Sequence, residues 1–133
     1  VSDLGTVGVD VEARWSPRFS GFTNLRAQQE RSRLLGGGTG GVCLARARTW
    51  VRKEAVVKAA GHGLTVDLAR LAVTPPYEAP RVVAWPGGPL PPSALQLCDL
   101  DVGSRHAACL ALVAGRPGGV RARRADHWLR DAP

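Results

Sequence analysis

The chain has 133 residues, 44% of them apolar, which is enough to bury one modest hydrophobic core, so we expect a single domain over residues 1–133. The formal net charge of +7 favours an anionic partner, such as a phosphate-bearing ligand, an acidic protein or nucleic acid. Only 5% of the residues are aromatic and no run mixes Lys or Arg with Phe or Tyr, which argues against a single-stranded nucleic-acid platform.

The cysteines Cys43, Cys98 and Cys109 are an odd number without CxxC spacing. They indicate reduced, buried thiols rather than a disulfide framework or a zinc site. No apolar run is long enough for a membrane span, and the first residues lack the charged and apolar regions of a signal peptide. These features predict a cytoplasmic protein.

Residues 6–12 are predicted to form the first strand, because valines at every second position alternate with Gly8, Asp10 and Glu12. This pattern is typical of a strand with one buried face. Asp10 and Glu12 therefore point the same way, and like charges side by side repel unless a cation or several donors bridge them. The pair is a candidate cation site, with a solvated strand edge as the alternative.

A shorter helix is predicted from Asn24, a suitable N-cap, to about Leu35, and Glu30 lies on it. The glycine-rich residues 36–41 end this helix. They lack the GK[ST] ending of a phosphate loop and do not follow a strand, so we interpret them as a flexible connection.

A long helix is predicted over residues 42–60, with Trp50 as a core residue and Gly61 just after the end. Glu54 and Lys58 are four residues apart and therefore face the same side of this helix. One interpretation of this spacing is a surface ion pair worth about a few tenths of a kcal/mol.

Lys53 and Lys58 are the only lysines among 18 basic residues, and both lie in this predicted helix. An ammonium group acts on phosphate as a point charge, and its pKa can be tuned by burial more readily than that of a guanidinium group. The two lysines therefore favour a role in phosphate binding, with chance as the alternative.

The second half of the chain is predicted to consist of strands joined by Pro- and Gly-rich turns, over residues 71–73, 82–85, 95–100 and 106–113. Residues 116–133 carry several arginines without a clear pattern, and we expect a basic tail there. Helices and strands together predict an α+β fold, with an antiparallel sheet packed against one long and one shorter helix.

The sequence Gly8-Val9-Asp10-Val11-Glu12, followed by Trp50-x-x-Lys53-Glu54-Ala55-x-x-Lys58-x-x-Gly61-x-Gly63-Leu64, resembles the two signature motifs of the 4'-phosphopantetheinyl transferases. The interval between the motifs, with Glu30 on the helix between them, is similar to that of the larger, surfactin-synthetase-activating type. The larger enzymes consist of two similar halves. The resemblance extends to about residue 112 and matches the C-terminal half. It implies a half-domain with the transferase fold.

The resemblance implies an enzyme that transfers 4'-phosphopantetheine from coenzyme A to a serine of an acyl or peptidyl carrier protein, releasing adenosine 3',5'-bisphosphate. Carried over position by position, Asp10, Glu12 and Glu54 would hold Mg²⁺ against the coenzyme A diphosphate. Lys58, together with Lys53, would neutralise charge on that diphosphate. Either Glu54 or a metal-held water would be the base for the serine hydroxyl.

His62 stands at a position that varies in the family motif, where it would either contact a coenzyme A phosphate or be an exposed turn residue. In the larger enzymes, motifs of the N-terminal half bind the nucleotide end of coenzyme A. These motifs have no counterpart in this chain. We therefore expect a homo-oligomer, with a trimer favoured, or a domain of a longer synthase, or a fragment. The alternative function is a non-catalytic half-domain that binds coenzyme A or a carrier protein and completes a site in another chain.

Overall fold

The computed structural model describes residues 5–14, 39–62 and 66–113. These stretches contain the α-helix α1 (Thr39–Ala59) and, in chain order, the strands β1 (Val7–Ala13), β2 (Ala72–Val73), β3 (Val82–Ala84), β4 (Leu95–Leu100) and β5 (His106–Val113). A short 3-10 helix, Pro92–Ala94, leads into β4. The predicted shorter helix at residues 24–35, with Glu30, and the predicted basic tail at residues 116–133 lie outside the described residues.

The main sheet is antiparallel and has the strand order β1-β5-β4, while β2 and β3 form a separate antiparallel pair. Asp10 of β1 lies opposite Cys109 of β5, which lies opposite Asp99 of β4. Opposite residues in such a sheet project to the same face, so these three side chains form one row. The long helix α1 packs on that face, and the predicted α+β fold with an antiparallel sheet is confirmed.

Gly8 allows α1 to lie directly against the backbone of β1. A Cβ atom at this position would overlap the carbonyl oxygen of Ala55 and the backbone nitrogen of Ala59. The buried face of β1 is therefore the one with the glycine and the two carboxylates. The alternating valines lie on the opposite face and are 42%, 46% and 55% exposed at Val7, Val9 and Val11.

The core lies between α1, the inner face of the sheet and the β2-β3 pair. It includes buried residues of all three, among them Ala47, Val51, Ala55, Val56, Leu71, Val73, Trp85, Cys109 and Ala111. Trp50 is partly buried and packs against this core, in agreement with its predicted role. Across the described stretches, no helix combines the length and the apolar character that a bilayer crossing requires.

The helix begins earlier than predicted, because Thr39, Gly40 and Gly41 form its first turn. The interpretation of residues 36–41 as a flexible connection is therefore wrong for these last three positions. Glycine costs about 1 kcal/mol per residue in a helix, and tertiary packing of the remaining turns can offset this.

The end of α1 agrees with the prediction. Gly61 has a φ of +70°, which favours glycine, and its N–H donates to Lys58 O while the N–H of His62 donates to Val57 O. This pair of hydrogen bonds is the Schellman arrangement, which satisfies the last carbonyl groups of a helix.

Candidate functional site

The two sequence motifs meet at an ion pair between α1 and β1. Lys58 Nζ donates to Asp10 Oδ1 at 2.6 Å and to the carbonyl oxygen of Val9 at 3.2 Å. The Asp10 side chain is 11% exposed, whereas that of Lys58 is 48% exposed. An ammonium group has three N–H donors, and two of those of Lys58 are used within the described residues, which leaves one there for a further acceptor while Lys58 holds Asp10.

The second carboxylate oxygen of Asp10 is the least satisfied polar atom of this site. Asp10 Oδ2 is buried and has no hydrogen-bond partner among the described residues. Leaving a buried charged oxygen unpaired costs free energy, which a cation or a ligand donor at this point would recover. Asp10 is therefore the strongest candidate ligand for a cation in the described part of the chain.

Glu12 and Glu54, the other predicted metal ligands, are both partly exposed. Glu12 projects to the same face of β1 as Asp10, and Glu54 lies one turn before Lys58 on α1. Considering residues 5–14, 39–62 and 66–113, no three or more His, Cys, Asp or Glu side chains are grouped so that they could hold a metal ion. The structure thus brings Asp10 and Lys58 together, but it does not gather the three carboxylates into a preformed cluster.

Lys53 points away from the ion pair. Five helical positions correspond to a rotation of roughly 140° about the helix axis, and Lys53 Nζ donates to the carbonyl oxygen of Leu68 at 3.2 Å. His62 is exposed just after α1, and its Nδ1 lies 2.8 Å from the carbonyl oxygen of Ala60. Since a carbonyl only accepts, this contact selects the tautomer with the proton on Nδ1 and leaves Nε2 available.

Arg52 forms a second, deeper ion pair that the sequence analysis missed. The residue is 0% exposed, and its Nε and Nη2 donate to both carboxylate oxygens of Asp99 at 3.0 and 2.6 Å. Its remaining donors reach the carbonyl oxygens of Thr74, Pro75 and Glu78 at 2.8–2.9 Å. A single guanidinium group therefore ties α1 to β4 and to the turn after β2.

A signal for this pair was present in the sequence. Arg52 is three and four residues before the buried Ala55 and Val56, so helical spacing places it on the buried side of α1. Asp99 lies four residues after Leu95 on β4, an even separation, so its side chain projects to the same face as that of Leu95, toward the core. An unpaired buried charge is strongly unfavourable, so a buried cation and an inward-facing carboxylate are expected to form an ion pair.

Cys109 lies between the two ion pairs, in the row that joins Asp10 to Asp99. Burial raises the pKa of the Cys109 thiol from 9.0 to about 12, and the negative charge of Asp99 adds to the rise. All three cysteines are free, as predicted, although only Cys109 is fully buried, since Cys43 and Cys98 are partly exposed.

We expect Cys109 to resist alkylation in the folded protein. The thiolate is the reactive form, and at pH 9 the raised pKa leaves little of it in the folded state. Iodoacetamide at pH 9 should modify Cys43 and Cys98 first and Cys109 only after unfolding in urea, as read by peptide mass spectrometry. Modification of Cys109 at the same rate in native and unfolded protein would contradict this assignment.

Comparison with known proteins identifies the family of this chain. Residues 6–111, which include both motifs, match the family model described as ACPS: 4'-phosphopantetheinyl transferase superfamily. No curated protein matches the chain.

Solved structures of similar fold include the crystal structure of Thermotoga maritima holo-[acyl-carrier-protein] synthase (AcpS). It has a TM-score of 0.60 and 18% sequence identity, and the match covers 96% of this chain and 73% of that chain. The Chronobacterium ammoniagenes ACPS-CoA complex has a TM-score of 0.49 and 20% identity, covering 84% of this chain and 98% of that chain. The first of these supports the shared fold.

Proposed function

Since the chain belongs to the 4'-phosphopantetheinyl transferase superfamily, we propose that it transfers 4'-phosphopantetheine from coenzyme A to a serine of an acyl or peptidyl carrier protein. Adenosine 3',5'-bisphosphate is the second product. The observation that carries this proposal is the contact between Lys58 and Asp10, because each motif contributes one of the two residues. A carboxylate with an unpaired oxygen beside an ammonium with a remaining donor suits a metal-bound diphosphate.

The residues of this site fit Mg²⁺. The ion takes oxygen ligands, and it is commonly held by one or two carboxylates together with substrate phosphates and water, so a preformed three-carboxylate cluster is not required. Asp10 Oδ2 supplies a buried oxygen without a partner. Glu12 and Glu54 are the proposed further ligands. When bound, Mg²⁺ would neutralise negative charge on the diphosphate and on the leaving group.

The side chains of this chain have distinct proposed roles in the transfer. Lys58 remains anchored to Asp10 and donates its third N–H to a diphosphate oxygen. His62, just after α1, contacts a phosphate of coenzyme A, whereas Lys53, whose Nζ donates to the carbonyl oxygen of Leu68, contributes only its longer-range positive charge. Either Glu54 or a water held at the site takes the proton of the carrier-protein serine. The serine oxygen then bonds to the phosphorus that bears the pantetheine arm, and the bond from that phosphorus to the leaving adenosine bisphosphate breaks.

The reaction can be tested through its small product. The chain is incubated with coenzyme A, Mg²⁺ and an apo-carrier protein, and chromatography should show adenosine 3',5'-bisphosphate released only when the carrier is present. A chelator should stop the release and added Mg²⁺ should restore it. Glu54→Gln should slow the release, whereas Glu78→Gln, an exposed glutamate on the turn after β2, should not. Coenzyme A binding without release would instead support the non-catalytic half-domain.

The outer face of β1 supports the proposal that copies of this chain form a homo-oligomer, with a trimer as the favoured state. A domain of a longer synthase is the alternative. Its valines are 42–55% exposed. They lie beside the outer side of β5, where Val9 is opposite Leu110 and Val11 is opposite Ala108. Full burial of a valine side chain is worth about 1.5–3 kcal/mol, so covering this face would stabilise an assembly.

Val9→Asp should convert the assembly to monomers, because the new carboxylate would be buried without a partner at the interface. Light scattering at several protein concentrations measures the effect. Val83→Asp is the matched control, since Val83 is 59% exposed on β3, outside the main sheet. A wild-type chain that is folded and monomeric at high concentration would exclude self-association.

A further inference from the structure

Two ion pairs join α1 to the inner face of the main sheet, and their carboxylates lie at the two ends of one row. Asp10 on β1 and Asp99 on β4 both lie opposite Cys109 of β5. Lys58 pairs with Asp10, and Arg52 pairs with Asp99. One helix is therefore attached by charge to both outer strands of the sheet.

The two cations leave α1 on opposite sides of its contact with β1. Ala55, whose carbonyl oxygen lies against Gly8, comes three residues after Arg52 and three residues before Lys58. Three helical residues correspond to a rotation of roughly 300°, so Arg52 and Lys58 project roughly 60° to either side of Ala55. Each ion pair thus holds one flank of the helix, and turning α1 about its axis would pull one of them apart.

The contact between α1 and β1 offers little resistance to such a rotation. Gly8 meets the helix at the backbone of Ala55 and Ala59. Residues without long side chains lack the ridges and grooves that interlock packed elements. The ion pair of Lys58 is also a weak restraint, because the lysine side chain is 48% exposed and exposed ion pairs contribute little to stability.

The ion pair of Arg52 is the strong restraint. Its guanidinium group is fully buried and bonds to both carboxylate oxygens of Asp99, at 3.0 and 2.6 Å. It also donates to three carbonyl oxygens of the turn after β2. A planar group held by paired, charge-assisted hydrogen bonds has a fixed position and orientation. Because Arg52 and Lys58 belong to the same helix, fixing Arg52 determines where Lys58 meets β1.

We infer that Arg52 is a positioning residue for the candidate site: its ion pair with Asp99 holds α1 at the rotation that brings Lys58 to Asp10. Arg52 is 0% exposed and so acts only through Lys58. Its effect on the transfer rests on the proposed function, whereas the contact between Lys58 and Asp10 can be measured without any reaction.

The test replaces the whole pair, as Arg52→Met with Asp99→Leu, because this double variant leaves no unpaired charge and keeps the net charge of the chain. The chain has only two lysines, so isotope labelling of lysine gives a simple NMR spectrum in which Lys58→Gln identifies the Lys58 signal. In the double variant this signal should move from its wild-type position to the position that it has in Asp10→Asn, where the partner charge is absent.

The same variants are then compared in carrier-protein modification, at a temperature where circular dichroism shows them folded. At saturating coenzyme A the double variant should react roughly tenfold to a hundredfold more slowly, the cost of misplacing a group at the site. In a Lys58→Gln background the same replacement should cause no further loss. Changes at sites without a shared partner normally add, so this non-additivity separates positioning from a general loss of stability.

Arg48→Met is the control on the same helix, and it should leave both the Lys58 signal and the rate unchanged, because Arg48 is exposed. A Lys58 signal that keeps its wild-type position in the folded double variant would overturn the positioning role. An equal loss of rate with and without Lys58 would overturn it too. So would identical Lys58 signals in the wild-type chain and in Asp10→Asn, since there would be no contact to position.

The positioning role and the transferase function can fail separately. If the Lys58 signal moves as expected but the wild-type chain modifies no carrier protein, the positioning role stands and the transferase function fails. Should the double variant not fold, Arg52→Lys decides by the same signal, because it keeps the charge beside Asp99 but loses the paired donors. An unmoved Lys58 signal in Arg52→Lys would then contradict the positioning role.

Discussion

Asp10→Asn should lower the rate of carrier-protein modification by about 10²–10³-fold, the usual cost of removing one charge-stabilising group from a site of this kind. The variant keeps the shape of the side chain but removes its negative charge, and with it the attraction to both Lys58 and a cation. The buried oxygen Oδ2, which has no partner among the described residues, would lose its value as a metal ligand.

The rate is measured by the appearance of the modified carrier protein over time at saturating coenzyme A and Mg²⁺. Asp67→Asn serves as the matched control, because Asp67 is exposed and its Oδ1 only accepts from the backbone N–H of Ala69, which asparagine can also do. The comparison is repeated at limiting Mg²⁺, and an Asp10→Asn variant that retains the wild-type rate under both conditions would show that Asp10 is not a metal ligand.

Arg52→Met should destabilise the fold by about 3–5 kcal/mol, the cost of breaking a buried ion pair from one side. The substitution leaves the carboxylate of Asp99 and the carbonyl groups of Thr74, Pro75 and Glu78 without their common donor. Since whole domains are stable by only about 5–15 kcal/mol, this is a large fraction of the total.

Urea unfolding followed by circular dichroism measures this loss. Arg48→Met is the control on the same helix, because Arg48 is exposed and, within the described residues, makes a single 3.4 Å contact with the carbonyl oxygen of Pro76. The double variant Arg52→Met with Asp99→Leu should recover part of the stability, since no unpaired charge then remains. A single variant as stable as Arg48→Met would show that the ion pair contributes little.

The sequence predicted most of the elements, because their signals are local. Strand-forming residues and the turn residues around them predicted β4 and β5 at the observed bounds, 95–100 and 106–113. Gly61 marked the end of α1. The start of α1 was missed because glycines are poor helix formers on their own, and only the packing of later turns keeps Gly40 and Gly41 helical.

The candidate site was predicted in part, for a similar reason. Motif spacing identified Asp10 and Lys58, which the structure places in contact. It could not show that Lys53 points elsewhere. Helix and strand spacing mark Arg52 and Asp99 as inward charges, but this spacing alone does not establish that two residues 47 positions apart form a pair. Such pairings depend on the tertiary arrangement of α1 against the sheet. Three interpretations stay predictions: the single domain over residues 1–133, the resemblance to the C-terminal half of the larger enzymes, and the cytoplasmic location.

The outward valines of β1 were also beyond sequence reasoning. Alternation indicates that one face of a strand is buried, and hydropathy alone would choose the valine face. The contact between Gly8 and α1 reverses that choice, because only a glycine admits the helix backbone so closely. The exposed valines are consequently available to a second copy of the chain.

The most direct test of the proposed transfer is the intact mass of an apo-carrier protein after incubation with this chain, coenzyme A and Mg²⁺. We predict a gain of one phosphopantetheine group, absent when the acceptor serine is replaced by alanine and absent in the presence of a chelator. An unchanged carrier mass at a coenzyme A concentration that saturates the chain would contradict the transferase function.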